Sequence, residues 1–296
     1  MSRLQAAAGM LGVAFCYALV PLIIHVAHQV AVPVAELLAA QFLTGLAAAV
    51  IYAVVRRRTW WPSAGSRRPW IVVGLLIAAT DIAYYRTLAL LPVPEAVLLL
   101  FQFPWMAIGL EALQVRRWPT RLEGIVAAVM WAGTVLALDP TEPAPGHASI
   151  AGAVWGLLAA LGYAATLVAA TRLPAHVPVE ARLGPISLAG FLATCLLLLG
   201  QPRLSFPVLW LGPVLGVVGF VLPTALMVAV GPFLTGSWAA ALAAAELPMA
   251  TVLGAWWLHQ RVGLRGWAGI GLVLAAVILA GGRYAAVRKG GSRIGR

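Results

Sequence analysis

The chain is interrupted over and over by stretches of about twenty residues that contain no Asp, Glu, Lys or Arg, the longest running from Leu4 to Ala35. A helix needs about 20 apolar residues to cross the hydrocarbon core of a bilayer. Backbone polar groups in lipid must also be satisfied within the segment itself, which leaves helices or closed barrels as spanning structures. Only 10% of the residues are charged while 62% are hydrophobic, so no separate soluble domain has room between the apolar stretches. The expected fold is therefore an all-α membrane protein.

Cutting at charged or Pro/Gly-marked connections yields ten spans: about 4 to 27, 33 to 55, 69 to 91, 93 to 115, 121 to 138, 150 to 171, 183 to 200, 206 to 230, 232 to 258 and 264 to 282. Two junctions, Leu91 to Pro94 and Val230 to Pro232, are tight enough that eight or nine spans are the alternative.

The net charge of +11 does not point to nucleic acid, because the basic residues sit in short connections and in the tail after Gly282. With ten spans, one side of the membrane receives Arg3, Arg56, Arg57, Arg58, Arg67, Arg68, Arg116, Arg117, Arg121, Arg172, Arg182 and five tail residues, sixteen in all. The other side receives only Arg203, Arg261 and Arg265, with Arg86 inside a span. The positive-inside rule then places both termini in the cytoplasm. Trp60, Trp61, Trp70, Trp118, Trp210, Trp256, Trp257 and Trp267 fall near span ends and read as interfacial anchors. Cys16 and Cys195 lie in apolar segments and form no disulfide framework. The absence of Asn excludes N-glycosylation, and the near-exclusive use of Arg over Lys with abundant Ala and Gly hints at a GC-rich bacterial genome, hence an inner-membrane location.

The chain repeats itself. Pro104-Trp105-Met106-Ala107 aligns with Pro248-Met249-Ala250-Thr251, Arg117 with Arg261, Arg121 with Arg265, and Tyr17-Ala18 with Tyr163-Ala164. Five spans per half is an odd number, so the second copy must insert upside down. We expect two inverted repeats, 1-146 and 147-282, followed by a basic cytoplasmic tail, 283-296. In such folds the substrate site lies near the midplane between the repeats, beside broken helices. Pro21, Pro104, Pro223 and Pro248 each remove a backbone donor within a span and are expected as kinks or hinges.

The tract Ala89 to Ala137 and its copy Ala229 to Gly281 resemble the two EamA-type halves of the drug/metabolite transporter superfamily. The shared features are a small-residue helix with a mid-span Pro, a short basic turn and a Gly-containing final helix. Within it the bacterial amino-acid exporters look most similar, with Phe101-Gln102-Phe103-Pro104 matching their aromatic and polar run before the fourth-span Pro and Asp81 matching a third-span acid. Two positions depart from the pattern: Gln260 stands where many members carry an acid, and Gln41 where an Arg is frequent. The resemblance implies a secondary transporter of small amino acids or related metabolites, working by alternating access and exporting its substrate.

Charged groups inside a bilayer are costly and need a partner or a polar cavity. Asp81, Tyr84, Tyr85, Arg86, Phe101, Gln102, Phe103, Tyr17, Tyr163 and Glu246 are the candidate substrate-binding residues. Asp81 shares a helix face with Tyr84 and Tyr85, with a salt-bridged packing role as the alternative. Gln102 and Glu246 are repeat equivalents, each two residues before its Pro, and are expected at equal depth on opposite sides of one cavity. Glu95 is read as solvated near the outer mouth. Asp81 and Glu246 would attract an ammonium, and Arg86 or freed backbone donors a carboxylate. A lipophilic-cation exporter fits the acid and aromatic groups equally well. No zinc, serine-elbow or phosphate-loop motif is present, so an enzyme, a metal site, a cofactor and ATP coupling are not expected. Small-residue faces leave the oligomeric state open.

Overall fold

The computed structural model describes residues 3–57, 59, 61, 67–114, 116, 121–138, 149–170, 179–199, 205–230, 245–257 and 262–276. Every regular element among them is helical: α1 (Arg3–Gln29), α2 (Val34–Val55), α3 (Arg67–Leu90), α4 (Val93–Leu100), α5 (Phe103–Gln114), α6 (Arg121–Leu138), α7 (Ile150–Ala170), α8 (Val179–Leu198), α9 (Val208–Gly216), a π turn (Val217–Val221), α10 (Leu222–Val230), α11 (Glu246–Trp257) and α12 (Leu264–Ala276). Gln5–Gln29, Val34–Val55, Arg67–Leu90 and Ala181–Leu198 are long and apolar enough to cross a membrane. The Leu91–Pro94 junction is present as a break between α3 and α4. Residues 231–244, Gln260 and the tail 283-296 lie outside the described residues.

The outer surface is lipid-like. Ile150 is 83% exposed, Phe206 80% and Val55 72%, a covering that water-soluble monomers do not tolerate as a continuous patch. Packing inside the bundle relies on small residues, because lipid provides no hydrophobic drive for helix association and close approach must supply contact instead. A Cβ at Gly74 of α3 would come 2.5 Å from the Ile186 carbonyl oxygen of α8, and one at Gly162 of α7 would come 2.6 Å from the Thr80 hydroxyl of α3. A larger residue at Gly74 would have to move a helix, and one at Gly162 would have to turn the Thr80 side chain.

These close pairs also fix helix direction. Ala40 and Thr44 of α2 meet Gly212 and Gly216 of α9, so those two helices run parallel. Phe42 and Gly45 meet Gly190 and Ser187, so α2 and α8 run antiparallel. Trp70 and Gly74 meet Arg182 and Ile186, which makes α3 parallel to α8. Gly9 and Gly12 of α1 meet Val230 and Leu226, which makes α1 antiparallel to α10.

The contacts form matched pairs. α3 packs on α7 as α1 packs on α10, α3 on α8 as α2 on α9, and α5 on α7 as α1 on α11, while α2 meets α8 and α4 meets α11. Under the exchange expected from the sequence repeat, the first three of these pairs map onto each other and α2 with α8 maps onto itself.

Three of the four prolines occupy sites that differ from a kink in a continuous helix. The fourth span is broken outright at Phe101 and Gln102, and Pro104 sits in the first turn of α5. Pro248 likewise sits in the first turn of α11. The first turn has no helical partner for its N–H groups, so Pro costs little there. Pro223 follows directly on the π turn, where backbone pairing is already shifted by one residue. Only Pro21 lies inside an uninterrupted helix, where it is buried.

Trp70 departs from the interfacial-anchor expectation. It is buried beneath Arg182, whose guanidinium carbon is 5.4 Å from the ring centroid, whereas Trp210, Trp256, Trp257 and Trp267 are exposed.

Candidate functional site

Asp81 projects from the middle of α3 and accepts a 3.0 Å hydrogen bond from the Gln41 side-chain amide of α2. The Gln41 carbonyl in turn accepts a short hydrogen bond from the Tyr85 hydroxyl. Gln41 and Tyr85 are almost fully buried, whereas Asp81 keeps accessible surface. One amide thus satisfies a carboxylate on one side and a phenol on the other, and holds the Asp81 carboxylate in a fixed direction.

Glu246 is the first residue of α11, where the partial positive charge of the helix N-terminus favours an acid. It too is half-buried. Tyr17 of α1 lies within electrostatic reach of Tyr163, Glu246 and Asp81. Tyr163 of α7 is within reach of both carboxylates, and Tyr84 of Glu246. Asp81, Tyr17, Tyr163 and Glu246 therefore form one cluster deep in the bundle, each retaining accessible surface. Phe103 closes one flank, its ring 4.6 Å from that of Tyr163 at 69°, and Phe101 stacks edge-on behind it at 5.9 Å. Gly162 lets α7 approach α3 closely, one residue before Tyr163 and opposite the residue before Asp81.

Two expected members stand elsewhere. Arg86 is exposed on α3: five residues from Asp81 is roughly 140° around a helix at 3.6 residues per turn, so the guanidinium points away from the carboxylate. Among the described residues, no cationic group balances Asp81 or Glu246. Gln102 is fully buried. Its amide nitrogen donates to the Leu98 carbonyl at 3.2 Å, and its carbonyl accepts from the Trp105 indole at 3.2 Å. The Gln102 backbone N–H turns to Leu99 instead, which leaves the Leu98 carbonyl to be satisfied by the side chain. Gln102 mends the helix break, while its repeat equivalent Glu246 faces the cluster.

The sequence reading missed Gln41 and Glu36. Gln41 was visible as a polar residue in the middle of an otherwise apolar span. Glu36, 2% exposed in the first turn of α2, accepts hydrogen bonds from the backbone N–H of Ser205 at 2.8 Å and from the Ser205 hydroxyl. No sequence spacing links positions so far apart. His28 is half-buried, with Nε2 unpartnered among the described residues.

Residues 150–282 match the EamA-like transporter family. The EamA-like segment thus supplies Tyr163 and Glu246, while Tyr17, Gln41 and Asp81 come from the part of the chain before it. No curated protein sequence matches. A solved structure described only as the crystal structure of a protein aligns over 94% of this chain and 97% of its own, with a TM-score of 0.64 and 20% identity. That likeness concerns the fold alone. Together, the EamA-like match over residues 150–282 and the apolar helices support a multi-pass membrane transporter of small molecules.

Proposed function

We propose that this chain is a secondary transporter that moves a small amine-bearing organic solute by alternating access, with Asp81 and Glu246 as its charge-recognising groups. The observation that carries the reading is the pairing of two carboxylates, one from each half, around a shared set of tyrosines with no described cation to neutralise them. A carboxylate in such a place demands a positive partner, and a transported ammonium supplies one. Tyr17, Tyr84, Tyr163 and Phe103 offer aromatic faces to the body of a cation.

Two inverted halves are part of this reading. Support comes from the antiparallel course of α2 and α8, which are repeat equivalents, and from the contact pattern that survives exchange of the halves. Substrate would then bind between them, next to the broken fourth span and the start of α11, as in transporters built on this plan. The positive-inside count supports cytoplasmic termini, and the exporter resemblance favours outward transport across a bacterial inner membrane, driven by an ion or exchange gradient.

Amino acids are the second reading. The helix starts at Phe103 and Glu246 present backbone donors that would take a substrate carboxylate in place of Arg86. Uptake into proteoliposomes of radiolabelled lipophilic amines and of amino acids, with and without a pH gradient, decides between them. Asp81→Asn and Glu246→Gln preserve shape and remove charge, and each is expected to lower uptake at least tenfold. Unchanged uptake in both variants would sink the proposal.

A further inference from the structure

Alternating access needs a closure at each end of the bundle, and the structure holds two polar contacts whose placement fits that need. Glu36 sits in the first turn of α2 and binds Ser205, just before α9 begins. Arg182 sits in the first turn of α8 and covers Trp70, in the first turn of α3. The repeat exchanges α2 with α8 and α9 with α3. Each contact therefore joins the start of the second span of one half to the start of the third span of the other.

The two contacts lie at opposite ends. α2 and α8 run antiparallel, so their first turns point to opposite faces, and each partner helix runs parallel to the helix it contacts. Each contact also spans the two halves, so separating the halves at one end must break the one found there. Their chemistry differs as their settings do. Glu36, at a helix N-terminus, is favoured by the helix dipole and is held by two hydrogen bonds to one residue. Arg182, at an equivalent N-terminus, is opposed by the dipole, and the Trp70 face contributes a favourable contact.

We propose that Glu36–Ser205 and Arg182–Trp70 are the two end latches of the transport cycle, one for each face, and that this structure holds both closed. The proposal rests on the alternating-access reading above. Release of one latch opens the central cluster to one face while the other stays shut.

The test uses the full chain with Cys16 and Cys195 replaced by Ser and Tyr163→Cys as a reporter inside the cluster. A membrane-impermeant maleimide is applied to right-side-out and to inside-out vesicles. Glu36→Gln and Ser205→Ala should speed labelling about tenfold from one face, the scale of one charge-assisted hydrogen bond. Arg182→Gln and Trp70→Leu should do so from the opposite face, and Trp70→Phe should leave the rate close to the parent. Faster labelling from the same face for both sets, or no change in either, overturns the proposal. Cross-linking provides a reading that does not depend on weakened variants. A disulfide between Glu36→Cys and Ser205→Cys should block labelling from one face, and one between Trp70→Cys and Arg182→Cys should block the other. Blocking of the same face by both bridges, or of neither face, also overturns it. The transport reading stands apart: absence of any solute uptake by the unaltered chain defeats that reading, whereas intact uptake with latch-independent labelling defeats the latches alone.

Discussion

Gln41 shows how one amide can organise a buried site. Its nitrogen serves Asp81 and its oxygen serves Tyr85, so replacing it strands an acceptor and a donor at once. Leaving such groups unpaired costs about 1–3 kcal/mol each. Gln41→Leu should therefore lower the thermal unfolding midpoint in detergent and abolish uptake. Adding Asp81→Leu should recover part of the stability, since it removes the stranded carboxylate and leaves only the Tyr85 hydroxyl unpaired, while uptake stays absent. A double variant no more stable than the single would show that Gln41 acts by packing alone. Arg86 makes the opposite case. With its side chain exposed and turned away from Asp81, Arg86→Gln should leave uptake within twofold of the parent, and a large loss would restore it to the site. Spacing in the sequence gives the depth of Arg86 along α3, but the angle around the helix decides whether it meets Asp81. In the sequence Gln41 is a departure from a family pattern, although a lone amide in an apolar span is itself a request for a partner. Glu36 went unseen because its partner is a loop serine more than a hundred residues away.

Helix boundaries were far more legible than helix interiors, and the reason is physical. Lipid demands continuous apolar helix, so charge and Pro mark the ends: the expected span 121 to 138 is α6 (Arg121–Leu138), and 150 to 171 differs from α7 (Ile150–Ala170) by one residue. The break at Phe101 and Gln102 carries no compositional mark beyond Pro104, and the π turn at Val217–Val221 none beyond Pro223. Those features depend on which carbonyl a side chain or a shifted N–H happens to satisfy. The helix ends hold one detail that invites a test. After α1, the Val32 N–H bonds to the Ala27 carbonyl and the Ala31 N–H to that of His28, with Ala31 at φ 55°. This is a Schellman closure that ordinarily employs Gly. Ala31→Gly relieves the left-handed strain and loosens the unfolded chain only slightly more, for a net stabilisation on the order of 1 kcal/mol. A raised unfolding midpoint with unchanged uptake is the expected result, and a lowered midpoint would mean that the Ala31 methyl group contributes more by packing than its backbone costs.

For the molecule as a whole, the decisive quantity is the parity of spans in each half. Two copies related by exchange, with α2 antiparallel to α8, would require an odd number of crossings between equivalent helices. Five crossings before residue 146 would put that connection on the face opposite the N-terminus, and ten would return the C-terminus to the starting face. With ten spans, the distribution of Lys and Arg, sixteen on one side and three on the other, would assign the starting face to the cytoplasm, because each basic residue resists translocation. A fluorescent protein that folds only in the cytoplasm should therefore light up when fused after residue 296 and stay dark when fused after residue 146. A phosphatase active only outside should give the reverse. The same signal from both junctions would mean an even number of crossings in the second half. That would remove the inverted relation, and with it the equivalence of the two latches and the two-sided origin of the Asp81–Glu246 cluster.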